Sequence, residues 1–159
     1  MSVQLQAYTD DDFWLMEALD GDAEVMRELG GPTAQDGLPA IHRRRVADPW
    51  WFKIAGPDGA AVGTIGVWET RHGGQTLHET GWMVLPAHQG QGVASAALTL
   101  LIERVRPEPG ITAMHAFPPV GNAPSNALCR KFGFRLLEQA EFDYAGRKLT
   151  CNHWSLDTP

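Results

Sequence analysis

Apolar positions recur along this chain with two different periods, and each period marks a kind of element. At Val93, Ala97, Leu101 and Val105 they return every fourth residue, with Ala94, Leu98 and Ile102 beside them. That spacing predicts an amphipathic helix, closed by Pro107. Shorter β-rich runs predict strands over residues 3–7, 51–55, 61–69, 77–85 (ended by Pro86), 111–117, 134–141 and 148–156. Asp58-Gly59 reads as the turn of a hairpin. Further helices are expected after a Thr9 or Asp10 cap, carrying Phe13, Trp14, Met16 and Leu19, and after an Asp22 cap, carrying Val25, Met26 and Leu29 up to the stop at Gly30-Gly31-Pro32. Two more cover residues 34–47 and 124–132, the latter stopped by Gly133. Strands and helices in this mixed order predict an α/β (α+β) fold, a central sheet with helices on both faces.

A length of 159 residues suits one domain, 1–159, with one sizeable core. With 43% hydrophobic and 20% charged residues, the chain has an ordinary globular composition. Its apolar stretches fall short of a bilayer span, and the opening residues lack the basic start and apolar run of a secretory signal. No membrane partner is expected. Two cysteines, Cys129 and Cys151, make neither a disulfide framework nor a zinc cluster, so the expected location is cytoplasmic. No two histidines stand at a metal-ligand spacing with a carboxylate, and no metal is expected. The formal net charge of −6 argues against nucleic acid and suits a cationic acceptor. Arg43-Arg44-Arg45, a short basic run, reads as a solvated helix face.

Candidate chemistry concentrates where the fourth-repeat helix begins. Trp82-Met83-Val84-Leu85-Pro86-Ala87-His88-Gln89-Gly90-Gln91-Gly92-Val93-Ala94 reads as a strand, a Gly-rich turn and a helix N-terminus. The first backbone N–H groups of a helix lack intrahelical partners, and the dipole adds partial positive charge there. Gly90 and Gly92 let the backbone approach a bulky anion, so a structural turn and a pyrophosphate cradle are both open readings. A P-loop is excluded, because no Lys-Ser or Lys-Thr follows the glycines. The dinucleotide fingerprint fails as well, with Ser at position 95.

Gln89-Gly90-Gln91-Gly92-Val93-Ala94 resembles the Q/R-x-x-G-x-G/A motif of the GNAT acetyltransferase superfamily, preceded by that family's V-x-P at Val84, Leu85 and Pro86. Downstream, Asn122, Ser125, Lys131, Gly133 and Phe134 are similar to its N-x-x-S and K-x-G-F signature. Upstream, Asp22-Ala-Glu-Val25-Met26-Arg27-Glu-Leu29-Gly30-Gly31-Pro32 resembles a stretch of the branch that holds the ribosomal-protein N-terminal acetyltransferases. The resemblance spans nearly the whole chain. It implies a mixed, mostly antiparallel sheet splayed between its fourth and fifth strands. It also implies acetyl-CoA as co-substrate, with no metal. The pantetheine arm would pair with backbone groups of Trp82, Met83 and Val84, and the pyrophosphate with amides from Gln89 to Ala94. Asn122 would bond the arm with Ser125 nearby, although Asn122 also suits plain helix capping ahead of Pro124.

The implied activity is acetyl transfer to a primary amine, on a protein N-terminus or a small molecule, by direct attack on the thioester. An amine is mostly protonated at neutral pH, so a base must remove a proton. Glu79 is one candidate, because Glu79-Thr-Gly81-Trp82 resembles the E-x-G-[YW] pattern of the ribosomal-protein branch. Its other reading is an exposed strand-end carboxylate. His115, on the fifth strand, is the second, against a structural histidine. Cys129 stands where many members place a Tyr that protonates the departing thiolate, so it reads either as that acid or as packing. The oxyanion would meet strand N–H groups, chiefly Val84. The missing Tyr keeps a non-catalytic acyl-CoA-binding module or sensor open as the alternative. Of the six tryptophans, most read as core, with Trp14, Trp50 and Trp51 candidates for the acceptor pocket. Homodimers are common in the family.

Overall fold

A computed structural model describes residues 2–144 and 146–159. Among the described residues, seven strands form one sheet in the order β1-β2-β3-β4-β5-β7-β6. They are β1 (Gln4–Ala7), β2 (Trp51–Ala55), β3 (Ala61–His72), β4 (Gln75–Val84), β5 (Ala113–Ala116), β6 (Arg135–Tyr144) and β7 (Arg147–Asp157). The helices are α1 (Phe13–Leu19), α2 (Leu38–Ala47), α3 (Val93–Val105) and α4 (Ala123–Lys131). The β1–β2, β2–β3, β5–β7 and β6–β7 pairs are antiparallel. The β4–β5 pair is parallel and its ladder is one residue pair long, Glu79↔His115, as expected of a fourth strand that splays from the fifth. Among the described residues no helix is long and apolar enough to cross a membrane.

The fold gathers into two compact units. The first holds Met1–Arg27, Gly31–Gly66 and Trp82–Leu101. Thr9 opens it with a capping box, its side chain accepting from backbone while Asp12 answers to the Thr9 N–H at 2.8 Å. Leu15, Met16, Leu19, Ile54, Ile65 and Leu98 are sealed in its core. Asp20 and Arg45 form a two-pronged ion pair at 2.7 and 3.0 Å, and the guanidinium lies 4.3 Å over the Trp51 ring. Arg43 and Arg44 are exposed, so the basic run is a solvated face at two of its three positions.

The helix expected after Asp22 does not form. Asp22 Oδ1 does cap, accepting from the Glu24 and Val25 N–H groups at 2.9 Å, but turns and a 3-10 segment at Arg27–Leu29 follow. Gly30 and Gly31 turn left-handed immediately afterwards, with φ of 88° and 108°. Of Val25, Met26 and Leu29 only Met26 is buried, so no continuous apolar face packs to stabilise a helix here.

The second unit holds Glu28–Gly30, Val67–Gly81 and Ile102–Pro159. Gly73 and Gly74, with φ of 58° and 78°, make a two-residue turn between β3 and β4 and carry β3 three residues beyond the predicted end. Gly81 is required by a close approach: a Cβ there would lie 2.9 Å from the Trp68 ring. The β6–β7 register shifts between Leu136 and Glu138, a bulge that sets Glu138 directly opposite His153. Met114, Trp154, Phe134 and Cys129 are buried in this unit's core.

Candidate functional site

The strand–turn–helix segment lies in the first unit. Leu85 N–H donates to Val62 O at 2.9 Å, holding the end of β4 against β3. A 3-10 turn at Pro86–His88 reverses the chain, and Gly90 and Gly92 take left-handed backbone at φ of 73° and 81° before α3 begins. A Cβ at either glycine would meet nothing within 4 Å, so backbone conformation, with open space above it, is what selects glycine here. The two glutamines brace the loop: Gln89 Nε2 donates to Val84 O at 3.0 Å and Gln91 Nε2 to Ala87 O at 3.3 Å. Ala96 N–H bonds Gly92 O at 3.0 Å, so the amides of Val93 and Ala94 lie ahead of the helix's own ladder. Val93 is buried and anchors the first turn, leaving only its backbone for a ligand. Exposed glycines, helix-start amides and the dipole behind them suit a phosphate.

Of the three strand residues expected beside the pantetheine arm, Met83 turns its carbonyl toward β3, where a Cβ on Gly63 would collide with that oxygen. Backbone groups alternate along a strand, so those of Trp82 and Val84 point to the edge away from β3. The Val84 carbonyl already accepts from Gln89, which leaves the Val84 N–H on that edge.

In the second unit, Glu79 is partly buried on β4, and burial pushes its carboxyl up from 4.5 to about 7 against a lowering hydrogen bond from the Thr70 side chain. Its partner in the β4–β5 ladder, His115, has its imidazole pulled down, first by burial and then by His72 and His78, with Asp157 opposing. His115 Nδ1 lies 2.8 Å from His153 Nε2. Burial, His115 and His72 together lower His153 to about 4, opposed by Glu138. Cys151 is buried, and burial plus the Glu79 carboxylate raise its thiol.

The remaining candidates hold structural posts. Asn122 Oδ1 accepts from Ser125 N–H at 3.3 Å as the N-cap of α4. Cys129 has 0% exposure, and burial drives its thiol up to about 12. Among the tryptophans considered for a pocket, Trp51 is core while Trp14 is half exposed.

Sequence reasoning did not single out His72, Glu138, His153 or Asn126. Asn126 is a buried hub: its Nδ2 donates to Pro119 O and Asn122 O, and its Oδ1 accepts from Asn152 Nδ2 and Trp154 Nε1, both at 2.8 Å. Its place four residues after Asn122, on the same helix face, was the available signal. The histidines and Glu138 carried none, because their meeting depends on strand order and a bulge.

A splayed mixed sheet, with a left-handed Gly-rich turn opening a helix at the end of its fourth strand, defines a class of α/β proteins suited to a phosphate-bearing ligand. The Acetyltransferase (GNAT) domain family matches residues 2–135, and the chain belongs to that family. No curated protein matches it in sequence. Among solved structures, a GNAT-family acetyltransferase from Bacillus anthracis has a TM-score of 0.82 at 16% identity, covering 99% of this chain and 96% of its own. Spermidine N-acetyltransferase from Vibrio cholerae, in complex with CoA and spermine, has a TM-score of 0.80 at 16% identity, covering 98% and 95%. The yncA protein of Salmonella typhimurium, solved with acetyl-CoA, has a TM-score of 0.75 at 21% identity, covering 100% and 95%. At these identities the likeness concerns the fold.

Proposed function

We propose that this protein is an acetyl-CoA-dependent N-acetyltransferase that acts on a primary amine, with Glu79 as general base. The observation that carries the reading is a partly buried carboxyl raised to about 7, on the same strand that ends in the glycine loop. A base titrating near neutrality takes a proton efficiently at working pH. Acetyl-CoA, when bound, supplies the acetyl thioester. Backbone amides from Gln89 to Ala94 hold its diphosphate, and Trp82 and Val84 offer β4 backbone to the pantetheine arm. Glu79 accepts the proton that the amine must lose before its nitrogen can attack, and the Val84 N–H faces the developing oxyanion. His115 stays a positioning neighbour, its Nδ1 engaged with His153. Cys129 is packing in this reading, since a sealed thiol at about 12 is a poor acid for a thiolate that leaves readily. Asn122 retains its cap and offers its amide nitrogen to the arm.

The acceptor is a protein N-terminus or a small cationic amine. The stretch from Asp22 to Pro32 supports the first, through its likeness to the ribosomal-protein branch. The net charge of −6 and the relative that acetylates spermidine support the second. Thiol release from acetyl-CoA, measured across a panel of N-terminal peptides, polyamines and amino acids, tests the proposal. Release that depends on one acceptor class supports it. Tight acetyl-CoA binding with no acceptor-dependent release overturns it in favour of a non-catalytic acyl-CoA module.

A further inference from the structure

Three side chains far apart in sequence converge in the second unit. His72 at the end of β3, Glu138 on β6 and His153 on β7 bring one ligating atom each to within 4.8 Å of one another. His72 Nε2 lies 3.3 Å from Glu138 Oε1, and His153 Nδ1 lies 4.0 Å from the same oxygen. No short motif encodes this trio. The two-glycine turn that lengthens β3 brings in His72, and the β6 bulge sets Glu138 across from His153.

We infer that His72, Glu138 and His153 form a binding site for a divalent first-row transition metal, zinc above all. Two imidazoles and a carboxylate are a donor set that zinc accepts, with a fourth position left for water. Bonds of about 2.0–2.1 Å place tetrahedral ligands roughly 3.3 Å apart, the separation already found between His72 and Glu138. The His153–Glu138 pair closes by a turn of the Glu138 side chain, which is 57% exposed, and rotation of the His72 ring at the end of β3 closes the remaining histidine pair. Phe117 and Phe142 wall the trio, with ring centroids 5.2 and 5.3 Å from His72 and with Phe117 4.4 Å from His153.

The surrounding hydrogen bond fits a ligated imidazole. His153 presents Nδ1 to Glu138 while its Nε2 meets His115 Nδ1 at 2.8 Å. A metal on Nδ1 requires the proton on Nε2, which then donates to His115 and fixes the ring. His72 binds through Nε2 once that nitrogen's proton has moved to Nδ1 or left to solvent. The His72–Glu138 hydrogen bond gives way to the two metal bonds, while the His153–His115 bond is kept. The site touches His115 through His153, but the inference does not depend on the proposed function.

Cobalt(II) titration of the whole protein, followed by visible absorption and by zinc competition, tests the inference. The expected result is one saturable equivalent with a tetrahedral or five-coordinate spectrum, displaced by zinc, and a melting temperature that rises with added zinc. Glu138→Gln, at an exposed position, and His72→Gln, at a partly buried one, should each weaken binding by about tenfold or more. His88→Gln should leave it unchanged. Absence of saturable binding overturns the inference. So does binding that survives both ligand substitutions, or that falls equally in the His88 control.

Discussion

Replacing Glu79 with Gln separates a base from a bystander, because it changes two quantities in opposite directions. The amide keeps the shape and hydrogen-bonding capacity of the side chain but cannot ionise. In the wild type, burial holds the carboxyl's proton up to about 7, whereas the unfolded chain releases it near 4.5. The folded state therefore binds more protons across that window, and wild-type stability falls as pH rises from about 4.5 through about 7. At about 1.4 kcal/mol per pH unit, that interval bounds the cost of ionising Glu79 in place at about 3 kcal/mol. The Glu79→Gln variant escapes this cost. In urea unfolding at pH 5 and pH 8, it should gain on the wild type by about 2 kcal/mol between the two conditions. Over the same range its kcat should fall about a hundredfold or more, and the acidic limb of the wild-type rate profile, near pH 7, should vanish. An unfolding gap independent of pH would refute the burial argument. An unchanged acidic limb would refute Glu79 as the base.

Three further substitutions probe other links. Gly92→Ala should cost about 1–2 kcal/mol through its left-handed backbone, and calorimetry should find weaker CoA binding, with kcat at saturation little altered. Cys129→Ala should leave kcat intact while lowering stability by about 1 kcal/mol; a kcat loss beyond about tenfold would restore the thiol as an acid. Arg45→Met strands the buried Asp20 carboxylate and should cost about 3 kcal/mol or more in chemical unfolding at pH 7.

Local chemistry was legible wherever it rests on contacts close in sequence. The period-four pattern from Val93 to Val105 became α3 with those four residues buried, because helix geometry alone puts every fourth residue on one face. Gly90, Gly92 and Gly133 were placed correctly as turn and stop because only glycine tolerates the left-handed backbone each adopts. The segment after Asp22 has a helical cap and apolar spacing, but only Met26 of its apolar residues is buried, and packing, which the local pattern does not carry, decides against a helix.

What tertiary structure decided was which groups lose water and which distant groups meet. Arg45 looks like Arg43 and Arg44 in sequence, yet packing against Trp51 and Asp20 removes it from the solvated face. Glu79 and Cys129 acquire their shifted titration through burial, which depends on everything packed around them. The histidine and glutamate trio needs strands from three parts of the chain, a two-glycine turn and a one-residue bulge, and a slip of one position would turn its members to opposite faces. Backbone hydrogen bonding acts over a few residues and leaves its mark in a sequence window, whereas desolvation and strand register belong to the assembled sheet.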